Sequence, residues 1–528
     1  MRKLFRMGKY KKLKKKNEQT IAKSNEENDE ETIEEEIPTS INIVKKKLGA
    51  MFSEASDFVL REVLTKDKKS KIIIAYIDGL VDKQVLNQDI VRPLIDNQNQ
   101  ILESLNQGNE EIFYYIKYNV LNDCETEDTR DFKASISDML AGDSIIYIEG
   151  QSIALKLCTR GWEQRGIEMP ETEAVVRGPR EGFTETLRVN TSMLRRKIRN
   201  PKLKFEQMKL GKQTNTEICI CYIKGIANDV IIDEVKERLK KIKIDAILET
   251  GYLEEFIEDH PYSIFPTIAN SEKPDVVAAK LLEGRVAILC DGTPFVLTVP
   301  HLFVENLQSS EDYYSRPYFS SLVRILRFTS FVLTTMLPAI YVALLVFHLG
   351  AIPFELLLSM AASREGVPFP SFIEAFIMIV AFEILREAGV RMPRAVGQAV
   401  SIVGALILGE AAVNAGIASD ILIIVVALTA ITSFIITKIT DATIFIRFAL
   451  LISANILGIM GITLVLFVIV AHMCSLRSFG VPYMSPLAPL STKDLKDSYV
   501  RFPLWSMITR PRTIIWGNRD RMKNRLEK

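Results

Sequence analysis

The stretch Ser363–Asn414 reads SREGVPFPSFIEAFIMIVAFEILREAGVRMPRAVGQAVSIVGALILGEAAVN and decides the architecture of the second half of the chain. Its long apolar runs are typical of helices inside a lipid bilayer, yet it also carries ionisable side chains. A charged side chain at bilayer depth costs about 2.5–3.5 kcal/mol on insertion scales, so such residues usually face a protein interior or a watery path. Ordinary anchor helices lack this pattern, and the charges are therefore candidate functional groups. They are Arg364, Glu365, Glu374, Glu383, Arg386, Glu387 and Glu410.

Four of these acids are candidates for a pore or another intramembrane polar site. Glu374 lies near the outer end of its predicted helix and Glu387 near the inner boundary, so both can reach water. Glu383 and Glu410 lie inside apolar segments. For them two interpretations stay open: a structural ion pair or hydrogen bond between helices, or the lining of a water-filled ion path. Rings of carboxylates form cation-selective channel mouths, which would require a homo-oligomer around an axis.

Residues 311–476 are predicted to form a helical transmembrane domain of five or six spans. Phe328–His348 is about 31 Å long as a helix, enough to cross a bilayer. Ala442–Leu476 is too long for one straight crossing, and Gly458 and Gly461 offer a break that would give a sixth span. Pro338 is a further candidate hinge or gate, together with these two glycines. The other predicted crossings are Ser371–Ala388, Ala395–Val413 and Asp420–Thr437, with Ile352–Ala362 as a re-entrant or interfacial piece.

Arginines define the orientation of this domain. Arg316, Arg324 and Arg327 precede the first span, so its start should lie on the cytosolic side. The tail 477–528 is basic and belongs on the same side. An even number of crossings is therefore favoured, or five crossings plus a re-entrant hairpin.

The polar half of the chain contains an internal repeat. Ile72–Leu80 reads IIIAYIDGL and Ile218–Ile226 reads ICICYIKGI, each a buried strand that ends in glycine before an amphipathic helix. Met139–Leu157 and Leu281–Val299 match as a helix end, a strand, a tight turn and a returning strand, which is a hairpin signature. Two small α/β modules with mixed sheets follow from this repeat. We predict an α+β membrane protein in which tandem cytosolic α/β modules, 49–170 and 215–310, precede a polytopic helical domain.

Charge and composition limit the function of this half. The tail 1–48 alternates basic and acidic blocks and is predicted to be disordered. The net charge is +1, so no global field points to nucleic acid. No glycine-rich phosphate loop follows either first strand, and the cysteines show no metal or disulfide spacing. The sequence therefore predicts a scaffold or interaction module rather than an enzyme, with no catalytic, cofactor or metal site.

The connector 171–214 joins the modules. Arg177 and Arg180 stand beside turns at Gly178-Pro179 and Gly182 and are candidate contact residues. The basic run Leu194–Lys204 is predicted to dock a neighbouring subunit or the lipid surface, because no aromatic platform for RNA accompanies it. His260 and His301 are isolated and are predicted to be surface or capping residues.

Long motifs in the chain resemble the spore-germinant receptor A-subunit (GerA) family from Lys71 to Leu490. They include VVRGPREGFTE, RVNTSMLRRKIRNPKLK, SREGVPFP, LREAGVRMPRAVGQAVSIVGALILGEAAV and VPYMSPLAP. The resemblance implies a location in the inner membrane of endospores, with soluble modules and tail on the core side. It implies action with a transporter-like B subunit and a lipoprotein C subunit as a receptor for nutrients that the B subunit chiefly binds. It also implies assembly of A subunits as a ring, such as a pentamer, around a ligand-gated ion pore.

Three alternatives stay open beside a receptor subunit. The chain could be an accessory paralogue that amplifies germination without sensing nutrients. It could belong to a secondary transporter, although such proteins carry inverted membrane repeats and the visible repeat lies in the soluble half. A membrane-tethered scaffold without a pore is the third. The nutrient, the ion and the stoichiometry do not follow from the sequence.

Overall fold

The computed structural model describes residues 36–64, 70–97, 100–101, 109–121, 125–161, 173, 175–391, 409–492, 494–507, 509–511 and 514. The helices of the soluble half are α1 (Ile41–Met51), α2 (Lys83–Val85), α3 (Arg92–Asp96), α4 (Asn109–Tyr115), α5 (Phe132–Ala141), α6 (Leu187–Lys197), α7 (Asp229–Lys241), α8 (Thr250–Ile257), α9 (Pro274–Leu282) and α10 (Glu311–Tyr314). The apolar half contains α11 (Pro317–Phe347), α12 (Phe354–Arg364), α13 (Ser371–Arg391), α14 (Asp420–Ser433), α15 (Thr440–Leu457) and α16 (Ile459–Ser475).

Twelve named strands complete the described elements. The first module contains β1 (Phe58–Leu64), β2 (Ser70–Ile77), β3 (Thr126–Thr129), β4 (Ser144–Ile148) and β5 (Ala154–Leu157). The second contains β6 (Leu203–Leu210), β7 (Thr216–Ile223), β8 (Ala269–Ser271), β9 (Val286–Cys290) and β10 (Val296–Val299). A short hairpin in the tail is formed by β11 (Arg477–Ser478) and β12 (Val481–Pro482).

The two modules have the same sheet topology. The strand orders are β1-β2-β4-β5-β3 and β6-β7-β9-β10-β8. Every described pairing within them is antiparallel, so the prediction of mixed sheets was wrong. In the first module β3 and β4 run in the same direction, but β5 lies between them and no parallel pair forms. The repeat read from the sequence is thus a repeat of whole five-stranded sheets.

The second sheet is covered by helices on both faces. Along β7, Ile218 and Ile220 contribute to a core shared with α7 and α8. Cys219 and Cys221 point the other way, into a core shared with α6 and α9. This alternation follows from the two-residue period of a strand. A strand buried on both faces reads as the continuous apolar run that marked it in the sequence.

The structure draws the module boundaries differently from the sequence prediction. Ile41, Val44 and Leu48 lie on one face of α1 and are buried, with Val44 and Leu48 packed in the core of the first module, so residues 41–48 belong to that module rather than to a charged tail. Within the predicted connector, β6 pairs with β7 along its whole length. Its alternation of charged and apolar residues suits an edge strand. Because charged residues interrupt the apolar ones, the search for apolar runs did not identify it as a strand.

The basic run of the connector binds the two modules together. Arg195 on α6 is fully buried, and its Nε and Nη2 donate to the carboxylate of Asp57 in the first module at 2.7 and 2.8 Å. Its Nη1 donates to the carbonyls of Asn200 and Leu203, and the guanidinium lies over the ring of Phe205. The prediction that this run forms an exposed docking face was wrong for Arg195.

Two described helical segments of the apolar half are long and apolar enough to cross a membrane, Pro317–Phe347 and 437–457. Asp420–Ser433 and Ile459–Ser475 are shorter apolar helices. Residues 392–408, which carry most of the predicted crossing Ala395–Val413, lie outside the described residues. The number of crossings therefore stays a prediction.

The long apolar stretch breaks at Gly458, between α15 and α16. Its backbone has φ +62° and ψ −139°, a region that is essentially restricted to glycine. An added Cβ would lie 3.0 Å from atoms of Phe347 and His348 at the end of α11. The glycine thus permits both the reversal between the helices and their close approach to α11.

We expect Gly458→Ala to destabilise the apolar half by about 1–3 kcal/mol, because alanine cannot adopt this conformation without strain. The thermal midpoint of the detergent-solubilised protein measures the effect. Gly350→Ala is the matched control, since a Cβ there meets open space. Equal midpoints for the two variants would contradict a required glycine conformation.

The described part of the tail packs against the second module. Phe479, Val481 and Ile514 belong to the core on the α7 and α8 face, and the Ser478 hydroxyl donates to the carbonyl of Thr267. The chain that leaves α16 is therefore joined directly to the soluble half.

On α8, Glu254 carries an unfavourable charge. Burial, followed by the nearby carboxylates of Glu258 and Glu249, raises the pKa of Glu254 to about 7. A raised acid pKa means that the folded state holds the proton more tightly, so this group costs stability as the pH rises from about 4.5 through 7. We expect Glu254→Gln to raise the thermal midpoint at pH 8 and to change it little at pH 5. Glu255→Gln, at an exposed neighbour, is the control. A gain for Glu254→Gln that is independent of pH would contradict the assignment.

Candidate intramembrane site

The acid Glu383 on α13 is paired with two arginines. Its Oε1 accepts from Nη1 of Arg447 on α15 at 2.6 Å, and its Oε2 lies 2.9 Å from Nη2 of Arg386, one turn along its own helix. The Arg447 side chain is 1% exposed and that of Glu383 is 15% exposed. In the single chain this acid forms a structural ion pair between helices, one of the two predicted alternatives.

The pair belongs to a polar contact that joins four helices. Nε of Arg447 donates to the carbonyl of Thr334 on α11 at 2.9 Å. The hydroxyl of Thr334 donates to that of Thr432 on α14 at 2.8 Å. Both threonines are buried. Because buried polar groups are costly unless they are hydrogen-bonded, these contacts fix how α11, α13, α14 and α15 pack.

The acid Glu374 is completely buried, although the sequence suggested that it could reach water. Its Oε1 accepts from the backbone amide and the hydroxyl of Ser419, both at 2.6 Å. Ser419 is the N-cap of α14, where the partial positive charge of a helix N-terminus favours an anion. Nε of Arg364 lies 3.5 Å from Oε2, and Tyr341 bonds Ser419 at 3.2 Å. Glu374 therefore caps the N-terminus of α14.

The remaining two acids are exposed. Glu387 forms an ion pair with Arg391 on the same helix at 2.6 Å, and both side chains are more than half exposed. Glu410 lies in a helical segment, 409–414, at the point where the described part of the chain resumes after residue 391. Among the described residues no arginine, lysine or histidine forms an ion pair with Glu410. The structure thus brings Glu383 and Glu374 into internal contacts and leaves Glu410 at the surface of the chain.

The other candidates lie at separate places. Pro338 is buried inside the continuous helix α11, and Gly461 lies in the first turn of α16. Arg177 and Arg180 are exposed. The backbone amide of Arg177 donates to the carboxylate of Glu311 on α10 at 3.3 Å.

A buried charge cluster at the start of α11 was missed from sequence. Nε of Arg324 donates to Asp312 at 2.9 Å and its Nη1 to Asp497 of the tail at 2.8 Å. Arg327 also binds Asp312, at 2.8 Å. These arginines were read only as signs of orientation. The cluster joins the linker, defined as residues 300–316 between the second module and α11, to the first long helix and the tail.

A cavity of about 270 Å³ lies between the second module, the linker and the chain that joins α14 to α15. Lys280, Arg285, His301 and Glu305 line it, with Lys438 from the apolar half. His301 is buried and contacts Glu305 at 3.3 Å, so its predicted surface position was wrong. Desolvation lowers the pKa of Lys280 to about 8. Lys280, Arg285 and His301 all contact Glu305, and Lys438 pairs with Glu173, which makes this a polar junction between the halves.

Residues 46–513 match the family model described as Bacillus/Clostridium GerA spore germination protein. The chain belongs to the GerA family. Spore germination protein KA of Bacillus subtilis (strain 168) is 46% identical over 474 residues, which cover 89% of this chain and 85% of that protein. Spore germination protein GerLA of Bacillus cereus is 38% identical over 474 residues, covering 89% and 94%. The predicted resemblance to the GerA family is confirmed.

Two further relatives belong to the comparison. The uncharacterized membrane protein YfkQ of Bacillus subtilis (strain 168) is 44% identical over 447 residues, covering 84% of this chain and 86% of that protein. The crystal structure of the N-terminal domain of the A subunit of the Bacillus megaterium spore germinant receptor GerK3 is 33% identical, with a TM-score of 0.40. It covers 51% of this chain and 98% of that domain. The relatives of this chain thus include spore germination proteins and a protein named as a membrane protein.

Proposed function

We propose that this chain is the A subunit of a nutrient germinant receptor and that copies of it form an ion-conducting oligomer. It acts with a transporter-like B subunit and a lipoprotein C subunit in the inner membrane of the spore. The soluble modules and the tail lie on the core side. Membership of the GerA family supports the receptor role, and the intramembrane acids support the pore.

The observation that carries the pore proposal is the position of Glu410. Glu383 and Glu374 each accept hydrogen bonds at Oε1 from side chains or backbone of the same chain, whereas Glu410 is exposed in an apolar stretch. A carboxylate that faced acyl chains would be costly. Symmetry-related copies around an axis would place Glu410 side chains in a shared watery path, where they attract cations.

Nutrient binding to a partner would shift a closed–open equilibrium of this assembly. The shift is limited by the difference in nutrient affinity between the two states. Contacts of the tail with the second module and of the linker with α11 offer a physical route between the soluble half and the helices.

Release of monovalent cations from spores tests this proposal. A deletion strain is complemented with this gene and its neighbours, and efflux is followed after addition of amino acids or sugars. We expect Glu410→Gln to slow nutrient-triggered efflux by about tenfold or more, because the path would lose the negative charges that concentrate cations in it. Glu387→Gln, which removes an exposed acid, should leave efflux near that of the wild type.

Protein abundance in the spore membrane is measured for both variants. Unchanged efflux from Glu410→Gln spores at normal abundance would overturn the pore role and favour a scaffold. Efflux that saturates with ion concentration in reconstituted vesicles would favour a transporter.

A further inference from the structure

Two exposed patches of opposite charge lie on this part of the chain, one formed by the connector and the start of α11 and the other by the second module. We define the basic patch as Val176, Arg177, Arg180, Arg316, Tyr318 and Phe319. We define the acidic patch as Leu248, Tyr252, Glu255, Phe256 and Tyr262. Each combines charge with large apolar side chains that the single chain leaves in solvent, among them Val176 at 90% and Tyr262 at 100% exposure. Exposed apolar groups of this size mark interaction sites more often than scattered surface residues do.

The basic patch is attached to the α9 face of the second sheet. The turn that carries Val176 and Arg177 donates backbone hydrogen bonds to the Glu311 carboxylate on α10. From the same helix, the Tyr314 hydroxyl donates to Asp275 on α9 at 2.7 Å. These contacts hold the patch in a fixed place beside α9.

The acidic patch is formed mainly by the outer face of α8, on the opposite side of the same sheet. Tyr252, Glu255 and Phe256 are at helical spacings of three and four residues and share the exposed face. Leu253 and Ile257 point inward to the core that α8 shares with α7. The sheet therefore separates the two patches.

The charges of the two patches are not neutralised within the described part of the chain. The guanidinium groups of Arg177, Arg180 and Arg316 form no ion pair there, and neither does the carboxylate of Glu255. Around Glu254 the carboxylates of Glu258 and Glu249 add to the negative field. The two patches are therefore complementary in charge.

We propose that the basic patch of one copy binds the acidic patch of the next copy. The inference rests on the proposed oligomer and names the surface through which its soluble halves meet. Since the patches differ and lie on opposite faces, the contact is heterologous, and repetition closes into a ring when the rotation permits. Opposite charges align the copies, and the apolar side chains supply the buried area.

A second copy fits these patches better than a lipid surface does. The anionic inner leaflet attracts basic segments but repels a group of carboxylates. It would therefore leave the acidic patch unpartnered. The same chain provides a basic partner with matching aromatic groups.

Cysteine cross-linking in the full receptor tests the contact. One tagged copy carries Val176→Cys and a second, differently tagged copy carries Phe256→Cys, and both are expressed with their receptor partners. We expect a disulfide-linked dimer that contains both tags. Tyr118→Cys, exposed on the first module at 61%, replaces Phe256→Cys in the control and should give at least about tenfold less product, because the contact geometry is specific.

Charge reversal supplies a second readout that does not depend on cysteine. Arg177→Glu alone and Glu255→Lys alone should each lower cross-linking several-fold, and the double variant R177E/E255K should recover most of it, because attraction is restored. Both positions are exposed, so the fold should tolerate the changes.

The possible outcomes distinguish a wrong contact surface from the absence of an oligomer. If copies associate, as judged by co-purification of the two tags, but the cysteine pair does not cross-link and charge reversal has no effect, the patches are not the contact. Cross-links from either cysteine to the B or C subunit would also overturn the proposal. If the two tags do not co-purify at all, the proposed oligomer fails together with this inference.

Discussion

Replacement of Glu383 by glutamine should destabilise the helical half by about 3–5 kcal/mol, the usual cost of breaking a buried ion pair. The reason is the position of Arg447, which is 1% exposed and pairs with no other carboxylate among the described residues. Glutamine keeps an acceptor oxygen but removes the negative charge, which leaves that buried cation without an ion-pair partner among the described residues. We expect a lower thermal midpoint in detergent and a reduced amount of protein in the spore membrane.

The three charges of this cluster predict an order of effects. Arg447→Met should be milder than Glu383→Gln, because Glu383 keeps Arg386 at 2.9 Å. The double variant E383Q/R447M should recover much of the stability that E383Q loses, since the fully buried Arg447 is removed and only Arg386, which is 18% exposed, loses its partner. Glu387→Gln is the control, as its pair with Arg391 is exposed and exposed pairs contribute about 0–1 kcal/mol. Normal stability of Glu383→Gln with altered ion release would instead place this acid in the ion path.

Replacement of Asp57 by asparagine should uncouple the two soluble modules. Arg195 is fully buried. Asparagine keeps only one of the two acceptor oxygens that bind it, so Arg195 would lose its ion pair and one of its two hydrogen bonds to this side chain. We expect a loss of about 3–5 kcal/mol, as for other buried pairs from which one partner is removed. Thermal unfolding of the full-length protein and protease cleavage within residues 171–214 report the effect.

The chain offers a matched control at the same junction. Lys224 and Glu54 also link the modules, at 2.8 Å, but their side chains are about half exposed. Glu54→Gln should change stability by no more than about 1 kcal/mol. Equal effects of Asp57→Asn and Glu54→Gln would show that the buried pair is not what holds the modules together.

The repeat and the apolar half were readable from sequence because each depends on local pattern. The matching segments Ile72–Leu80 and Ile218–Ile226 contain β2 and β7. The glycine that follows each of these strands has a backbone conformation in the left-handed region. The glycine break at 458 also followed from local pattern. The edge strand β6 was missed, since its residues LKFEQMKL alternate charges with apolar side chains.

The partners of the charges were not readable. Arg447 stood out as a single cation in an apolar run, but its carboxylate lies 64 residues away. Likewise, the burial of Glu374 depends on Ser419, 45 residues along the chain. The sequence indicates that such charges must be kept away from lipid, but only the fold shows which residues pair with them. Arg195 illustrates the same limit in the soluble half. Its basic run has the composition of an exposed surface, but the structure buries Arg195 against Asp57.

An oligomeric cation path lined by Glu410 can be tested by electrical recording. The purified chain is reconstituted with its B and C partners in a planar bilayer, and current is recorded before and after nutrient is added. We expect a nutrient-dependent, cation-selective conductance that falls about tenfold or more in Glu410→Gln and stays near normal in Glu387→Gln. A correctly assembled receptor that passes no current, or a conductance that Glu410→Gln leaves unchanged, would contradict it.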